Sequence, residues 1–121
     1  MDKSFGILHK IVQATNMRHK VISSNIANAD TPGYKARDIK FNSFLKNEMK
    51  LMTTDPKHVG IKRGRINGKI VTERNPSWRD GNNVELNNEV ARMTENGMKH
   101  DAAIRIMNSK IKMYKNAIKG R

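Results

Sequence analysis

The sequence predicts a mainly α protein. Long N- and C-terminal helices form an antiparallel, coiled-coil-like inner domain, with a small irregular middle containing a short helix and a β-hairpin. Three observations lead there. Apolar residues recur with alternating steps of three and four near the start of the chain. The same spacing runs through the last third without a break. Glycine, proline and asparagine crowd the stretch between. A chain of 121 residues supports one domain-sized unit. The division expected is a discontinuous helical core of residues 1–33 and 80–121, interrupted by a small middle segment of residues 34–79.

The first element reads as an amphipathic helix over about residues 3–29. Its seam is Phe5, Leu8, Val12, Thr15, His19, Ile22, Ile26 and Ala29, the heptad spacing that places residues on one stripe. Ile7, Ile11 and Val21 widen that stripe. At 1.5 Å per residue the helix spans about 40 Å. Pro32 ends it, because proline lacks a donor and pushes Thr31 out of the α region. Pro32-Gly33 then suits a type II turn, with proline second and glycine third.

In the middle, Phe41, Phe44, Leu45, Met49 and Met52 suggest a short helix with one apolar face, broken by Asp55-Pro56. The run Arg65-Ile66-Asn67-Gly68-Lys69-Ile70-Val71 reads as a hairpin, since Asn-Gly supplies the positive φ angles of a two-residue type I′ turn.

The last element is the clearest. Asp80-Gly81-Asn82-Asn83 is a turn, and Asn82 with Glu85 three residues later has the form of a capping box. The seam that follows is Leu86, Val90, Met93, Gly97, His100, Ile104, Met107, Ile111, Tyr114 and Ile118. Lysines crowd the C-terminal end, where cations complement the helix dipole. In one antiparallel register Phe5 faces Tyr114, Leu8 faces Ile111, Val12 faces Met107, His19 faces His100 and Ile22 faces Gly97. A slip of seven residues aligns equally well. The seams can be buried in each other, in neighbouring copies, or in both.

Composition removes several functions. The chain has no cysteine, which excludes disulfides, thiolate zinc sites and cysteine nucleophiles. No Gly-rich phosphate loop, His-Glu-x-x-His or nucleophile elbow is present. No cofactor is expected and no catalytic or metal site is assigned. His19 and His100 sit on the seams, where polar residues set register. The methionines suit irregular helix packing. Only 36% of residues are apolar, so a monomer buries a modest core and neighbours can supply the rest of its order. Lys10, Gln13, Asn16 and Arg18 interrupt any apolar leader, so no cleavable signal peptide is expected. No apolar run reaches the length of a membrane span.

The formal net charge is +13. Most of the excess lies in residues 31–79, with twelve basic against four acidic residues. The run Lys62-Arg63-Gly64-Arg65 with Lys69 suits a phosphate, an acidic protein surface or plain solvent. No aromatic residues alternate with these charges, as stacking on single strands requires.

One segment is more specific than the rest. Ser24-Asn25-Ile26-Ala27-Asn28-Ala29-Asp30-Thr31-Pro32-Gly33-Tyr34-Lys35 resembles the N-terminal signature of flagellar rod and hook proteins: a helix ending in Asn-x-Ala-Asn, then Thr-Pro-Gly and an aromatic. Asn25 and Asn28 are placed to satisfy backbone groups at the helix end. Ala27 and Ala29 allow close approach, and Tyr34 is placed to plug a neighbouring surface. The continuation Lys35-Ala36-Arg37-Asp38-Ile39 with Phe41, the Asp80-Gly81-Asn82-Asn83-Val84 segment and the short length all resemble the small proximal rod proteins. Lys40 departs from the pattern, where an acidic residue is common.

The resemblance implies a non-enzymatic structural subunit of the basal body rod. Its terminal helices would pack helically with copies of itself and other rod proteins. The seam residues for that role are Phe5, Leu8, Val12, Ile22, Ile26, Leu86, Val90, Met93, Ile104, Met107, Ile111, Tyr114 and Ile118. The turn residues are Asn25, Ile26, Ala27, Asn28, Thr31, Pro32, Gly33 and Tyr34. It also implies export through the flagellar type III apparatus without cleavage, a periplasmic position in the rod, and contact with the MS ring, the export gate and the rod adaptor FliE. The alternative is a small basic nucleic-acid-binding protein, which explains the charge but not the seams or the Thr-Pro-Gly segment. A peptidoglycan hydrolase needs a positioned acid and a cleft, and the middle is too short for one.

Overall fold

A computed structural model of the chain describes residues 3–40, 70–74 and 78–120. Two helices dominate it. Helix α1 is Lys3–Ala27 and helix α2 is Leu86–Ile118. They are about 38 and 50 Å long at 1.5 Å per residue, and they pack against each other. Between them in sequence come two short strands, β1 at Arg37–Ile39 and β2 at Ile70–Thr72. The strands pair antiparallel, with Arg37 opposite Thr72 and Ile39 opposite Ile70. The expected short helix lies outside the described residues. So do residues 65–69 of the expected hairpin. Its Ile70-Val71 arm is a strand, and its described partner is β1.

The helices are antiparallel, in a register other than the one tried on the sequence. Asn25 of α1 meets Glu89 of α2, the Asn96 amide donates to the Thr15 carbonyl at 2.8 Å, and Lys110 meets Ser4. His100 therefore lies level with the turns between Ser4 and Thr15, away from His19. The register follows from polar groups that must find partners. A buried amide without one costs about 1–3 kcal/mol, whereas apolar contacts shift with little penalty.

The helix–helix contact is also rotated from the expected seam. On α1 the buried residues include Leu8, Thr15 and Ile22, as the seam predicts, together with Ala14 and Asn25. On α2 they are Glu89, Asn96 and Ala103, a seven-residue repeat one position before Val90, Gly97 and Ile104. Ala103 lets the backbones approach, and Asn96 fills its level with a hydrogen bond. The buried apolar set is small: Leu8, Ala14, Ile22, Ala36, Ile39, Val84 and Ala103. Six polar residues are buried beside it: Thr15, Asn25, Asn82, Asn83, Glu89 and Asn96.

The ends of the helices are set by two glycine turns. Gly33 has φ +74° and the Tyr34 N–H donates to Thr31 O at 3.3 Å, the type II form expected for Pro32-Gly33. Gly81 has φ +80°, and a Cβ there would lie 3.4 Å from the Gly33 Cα. The two turns are joined by the Gly33 N–H donating to Asp80 O at 2.8 Å. Replacing Gly33 with valine puts a β-branched residue at positive φ, which costs about 1–2 kcal/mol or more. Urea denaturation should register that loss, and an unchanged midpoint would show that the turn relaxes freely.

Candidate assembly interface

The centre of the Asn-Ile-Ala-Asn segment is the Asn25 side chain, which is fully buried. Its amide nitrogen donates to Arg37 O at 2.7 Å and to Glu89 Oε2 at 3.0 Å. Its oxygen accepts from the Arg37 N–H at 3.0 Å and the Tyr34 hydroxyl at 3.2 Å. An asparagine amide has two donor hydrogens and two acceptor lone pairs, so all four are used. Asn25 thus engages both backbone groups of Arg37, as a neighbouring strand would, and fastens β1 and α2 to α1. This role was not anticipated, since Asn25 was expected to serve the helix end. Tyr34 likewise turns its hydroxyl inward.

Asn28 does serve the helix end. Its amide donates to Ser24 O at 2.8 Å and its oxygen accepts from the Thr31 hydroxyl at 3.1 Å. Asn82 completes that work from the far side of the sequence. Its amide donates to the carbonyls of Asn28, Ala29 and Thr31 at 2.8–2.9 Å, the third bond being shared. The capping box expected for α2 is therefore corrected. The helix starts after Glu85, which makes no side-chain cap bond, because the Asn82 amide is committed to carbonyls of the turn after α1 and its oxygen accepts from the Val84 N–H at 2.8 Å. The carbonyls of the turn that leaves α1 need donors too, and here a residue remote in sequence supplies them. Asn83 accepts from the Ala36 N–H at 2.6 Å and donates to Glu73 O at 2.9 Å. Among the described residues, every buried side-chain polar atom has a partner.

Two ion pairs hold the β1–β2 ribbon to the helices. Arg18 grips Asp38 through two bonds of 2.9 and 3.0 Å. Arg92 pairs with Glu73 and, at 3.1 Å, with Glu89. Burial alone would raise the Asp38 pKa. Hydrogen bonds from Arg18 and the Ile39 N–H, with the charges of Arg18 and Arg92, more than offset it and hold the carboxyl below its usual value.

These contacts give the helix pair two unlike sides. Arg18 and Arg92 place the ribbon on one. The helical period places Phe5, Val12 and Ile26 of α1 on the other, along with Val90, Ile104 and Ile111 of α2. Phe5, Val12, Ile26 and Ile104 are half-buried, while Val90 and Ile111 are exposed. The sequence seam thus divides. Leu8 and Ile22 are buried between the helices, and Met93 and Met107 sit half-buried on the matching line of α2. The flanking line is left partly or wholly exposed. Leu86, Tyr114 and Ile118 are exposed. Of the turn residues, Ala27, Thr31, Pro32 and Gly33 are exposed and Ile26, Asn28 and Tyr34 half-buried. Glu89 and Asn96 were missed by the sequence reading, and their spacing relative to the seam, one position off the apolar line, was the available signal. Asn83 was read only as part of the Asp80–Asn83 turn.

Among the described residues no group of three histidine, cysteine or acidic side chains could hold a metal. No described helix is long and apolar enough to cross a membrane. The basic run at residues 62–69 lies outside the described residues.

Comparison with known proteins adds independent findings. A family model described as flagella basal body rod protein matches residues 12–35. The chain is similar to the flagellar basal body rod protein FlgB of Aeromonas hydrophila, at 37% identity over 98% of this chain and 95% of that one. It is 32% identical to FlgB of Bacillus subtilis over 93% of this chain and 91% of the relative. FlgB of Aquifex aeolicus is also 32% identical, over 98% and 95%.

Two outcomes test the polar fastening. Asn25→Asp preserves shape but sets a second carboxylate beside Glu89 and removes a donor, so stability should fall by about 2–4 kcal/mol in urea. Asn25→Ala should fall by a similar amount. A loss under 1 kcal/mol in both would mean that the four bonds are dispensable. A carboxyl depressed on folding adds stability that is complete above its unfolded value and is lost as pH falls through the folded one. Stability of the native chain should therefore drop below about pH 4, and Asp38→Asn should flatten part of that drop.

Proposed function

The chain belongs to the FlgB family of flagellar basal body rod proteins, and we propose that it forms the base of the rod by packing its terminal helices against neighbouring subunits. It is a structural subunit of the proximal rod. The observation that carries the packing reading is the apolar line of exposed Val90 and Ile111 with half-buried Ile104, beside half-buried Phe5, Val12 and Ile26, opposite the side that the ribbon holds. Apolar side chains left accessible along one side of a helix pair suit a protein interface.

The finer reading follows from the same premise. Residues 1–33 and 80–121 form the rod core, and residues 34–79 a peripheral segment. The exposed turn around Thr31-Pro32-Gly33 lies at one end of the pair. The subunit acts without enzymatic chemistry. It leaves the cytoplasm through the type III export apparatus uncleaved and takes its place in the periplasmic rod. There it meets the MS ring, the export gate and FliE, with the basic middle facing an acidic surface. The nucleic-acid alternative rested on charge alone and is not supported by the relatives.

Mass spectrometry of purified hook–basal bodies tests the placement. The chain should be present at a few copies per rod, and its absence while other rod proteins are detected would overturn it. Ile111→Asp changes a side chain that is 46% exposed, so the monomer should fold normally by circular dichroism. Assembly and swimming should be lost. Normal swimming would remove the apolar line from the interface.

A further inference from the structure

We propose that Asn96-Gly97 is a spontaneous modification site that reacts only when the helix pair is open, losing the Asn96 amide as ammonia and preventing the pair from closing again. The chemistry concerns this chain alone and does not rest on the rod reading above. Asn96 stands within α2 and is 2% exposed. Its amide donates to Thr15 O at 2.8 Å, one of the bonds that set the register of the two helices. Gly97, next in the chain, is half-buried and helical. A Cβ there would meet nothing within 4 Å, so packing within the chain does not call for glycine. The other buried asparagines among the described residues, Asn25, Asn82 and Asn83, precede Ile26, Asn83 and Val84.

The pairing of the two residues matters because the reaction passes through the following backbone nitrogen. The Gly97 nitrogen, as its conjugate base, attacks Cγ of Asn96. A C–N bond forms to Gly97, and the bond from Cγ to the side-chain nitrogen breaks. The side-chain amide leaves as ammonia, taking up in sum the proton that the Gly97 nitrogen gave. Water then opens the cyclic imide at either carbonyl. One opening leaves an aspartate. The other leaves an isoaspartate, in which the main chain runs through the former side chain. Glycine has no Cβ to hinder closure of the ring.

The closed pair blocks these steps. Within α2 the Gly97 N–H belongs to the helix ladder, which bonds each N–H to the carbonyl four residues before. Helical dihedrals hold the Asn96 backbone away from the twist that the ring needs. The bond to Thr15 O ties the carboxamide across to α1, in a site nearly closed to water. In the open chain none of these restraints remains. Either product then works against closure. An aspartate sets a carboxylate against the Thr15 carbonyl, acceptor against acceptor, in a buried site. An isoaspartate adds a methylene to the main chain and breaks the helical repeat between Glu89 and Ala103, the other two buried levels of α2. The site therefore records time spent open, as a one-way loss of the closed form.

The test follows the full chain in native buffer and in guanidinium chloride at mildly alkaline pH, with tryptic peptides quantified by mass spectrometry. Asn67-Gly68 is the same dipeptide and serves as the reaction clock of the denatured sample. In denaturant the peptide of residues 93–99 should convert at a rate near that of the peptide carrying Asn67. In native buffer its conversion should be about tenfold slower or more, because reaction through a transiently open form tracks the population of that form. Gly97→Ala should slow the reaction in denaturant severalfold. The native helix content should be kept, since a Cβ is accommodated there and alanine favours helix. Chains converted at Asn96 and returned to native buffer should unfold at a lower urea concentration than unconverted ones. Equal rates at Asn96 in both buffers would overturn the protection. No conversion in denaturant while Asn67 converts would overturn the site itself. An unchanged urea midpoint after conversion would overturn the consequence for closure.

Discussion

The fold depends on one saturated amide. Asn25 makes four hydrogen bonds from a site with no exposed surface, and together they reach three residues. Two hold the Arg37 backbone, one holds Tyr34 and one holds Glu89 on α2. No other side chain of that size offers two donors and two acceptors in that geometry. An aliphatic residue would leave Arg37 and Glu89 stranded in a dry site. Because hydrogen bonds are directional and buried amides tolerate little misalignment, Asn25 sets where β1 crosses α1 and which level of α2 lies opposite.

That constraint explains why the helix pair does not bury its greasiest line. The level set by Asn25–Glu89 continues through Thr15–Asn96 to Ser4–Lys110. It turns α2 so that Glu89, Asn96 and Ala103 face inward and Val90 and Ile111 do not. A packing driven by apolar area alone would have chosen the other line. Instead the monomer spends its polar groups on its own architecture and keeps aliphatic surface on the side away from the ribbon. The separation suits a subunit whose internal geometry must be settled before its neighbours arrive, since the two sets of contacts do not compete for the same residues.

Much of this was legible in the sequence, and the reasons for the misses are physical. The two helices follow from periodicity, and the Pro32-Gly33 turn from the φ demands of its two residues. The resemblance of residues 24–39 pointed to the rod family, and the relatives bear that out. Periodicity weights apolar residues, so it placed the seam on Val90 and Gly97 when the packed line ran through Glu89 and Asn96. A buried carboxylate beside an asparagine has no apolar signature. Asn82 was read from its neighbours as a cap for the helix that follows, but the acceptors of its amide lie more than fifty residues earlier. Local rules cannot see such a partner. Strand β1 went unread because three residues carry no period, and it exists through Asn25 and β2.

The composition of the buried centre has a thermodynamic corollary. A core in which four asparagines, a glutamate and a threonine sit beside three alanines and four larger aliphatic residues uncovers less apolar surface than an all-aliphatic one when it opens. The heat-capacity change of unfolding scales with apolar exposure and is reduced by polar exposure. The described core is therefore expected to contribute a small heat-capacity increment for its size, which flattens the stability curve. Its stability should therefore change less steeply with temperature than that of a chain with a larger apolar core.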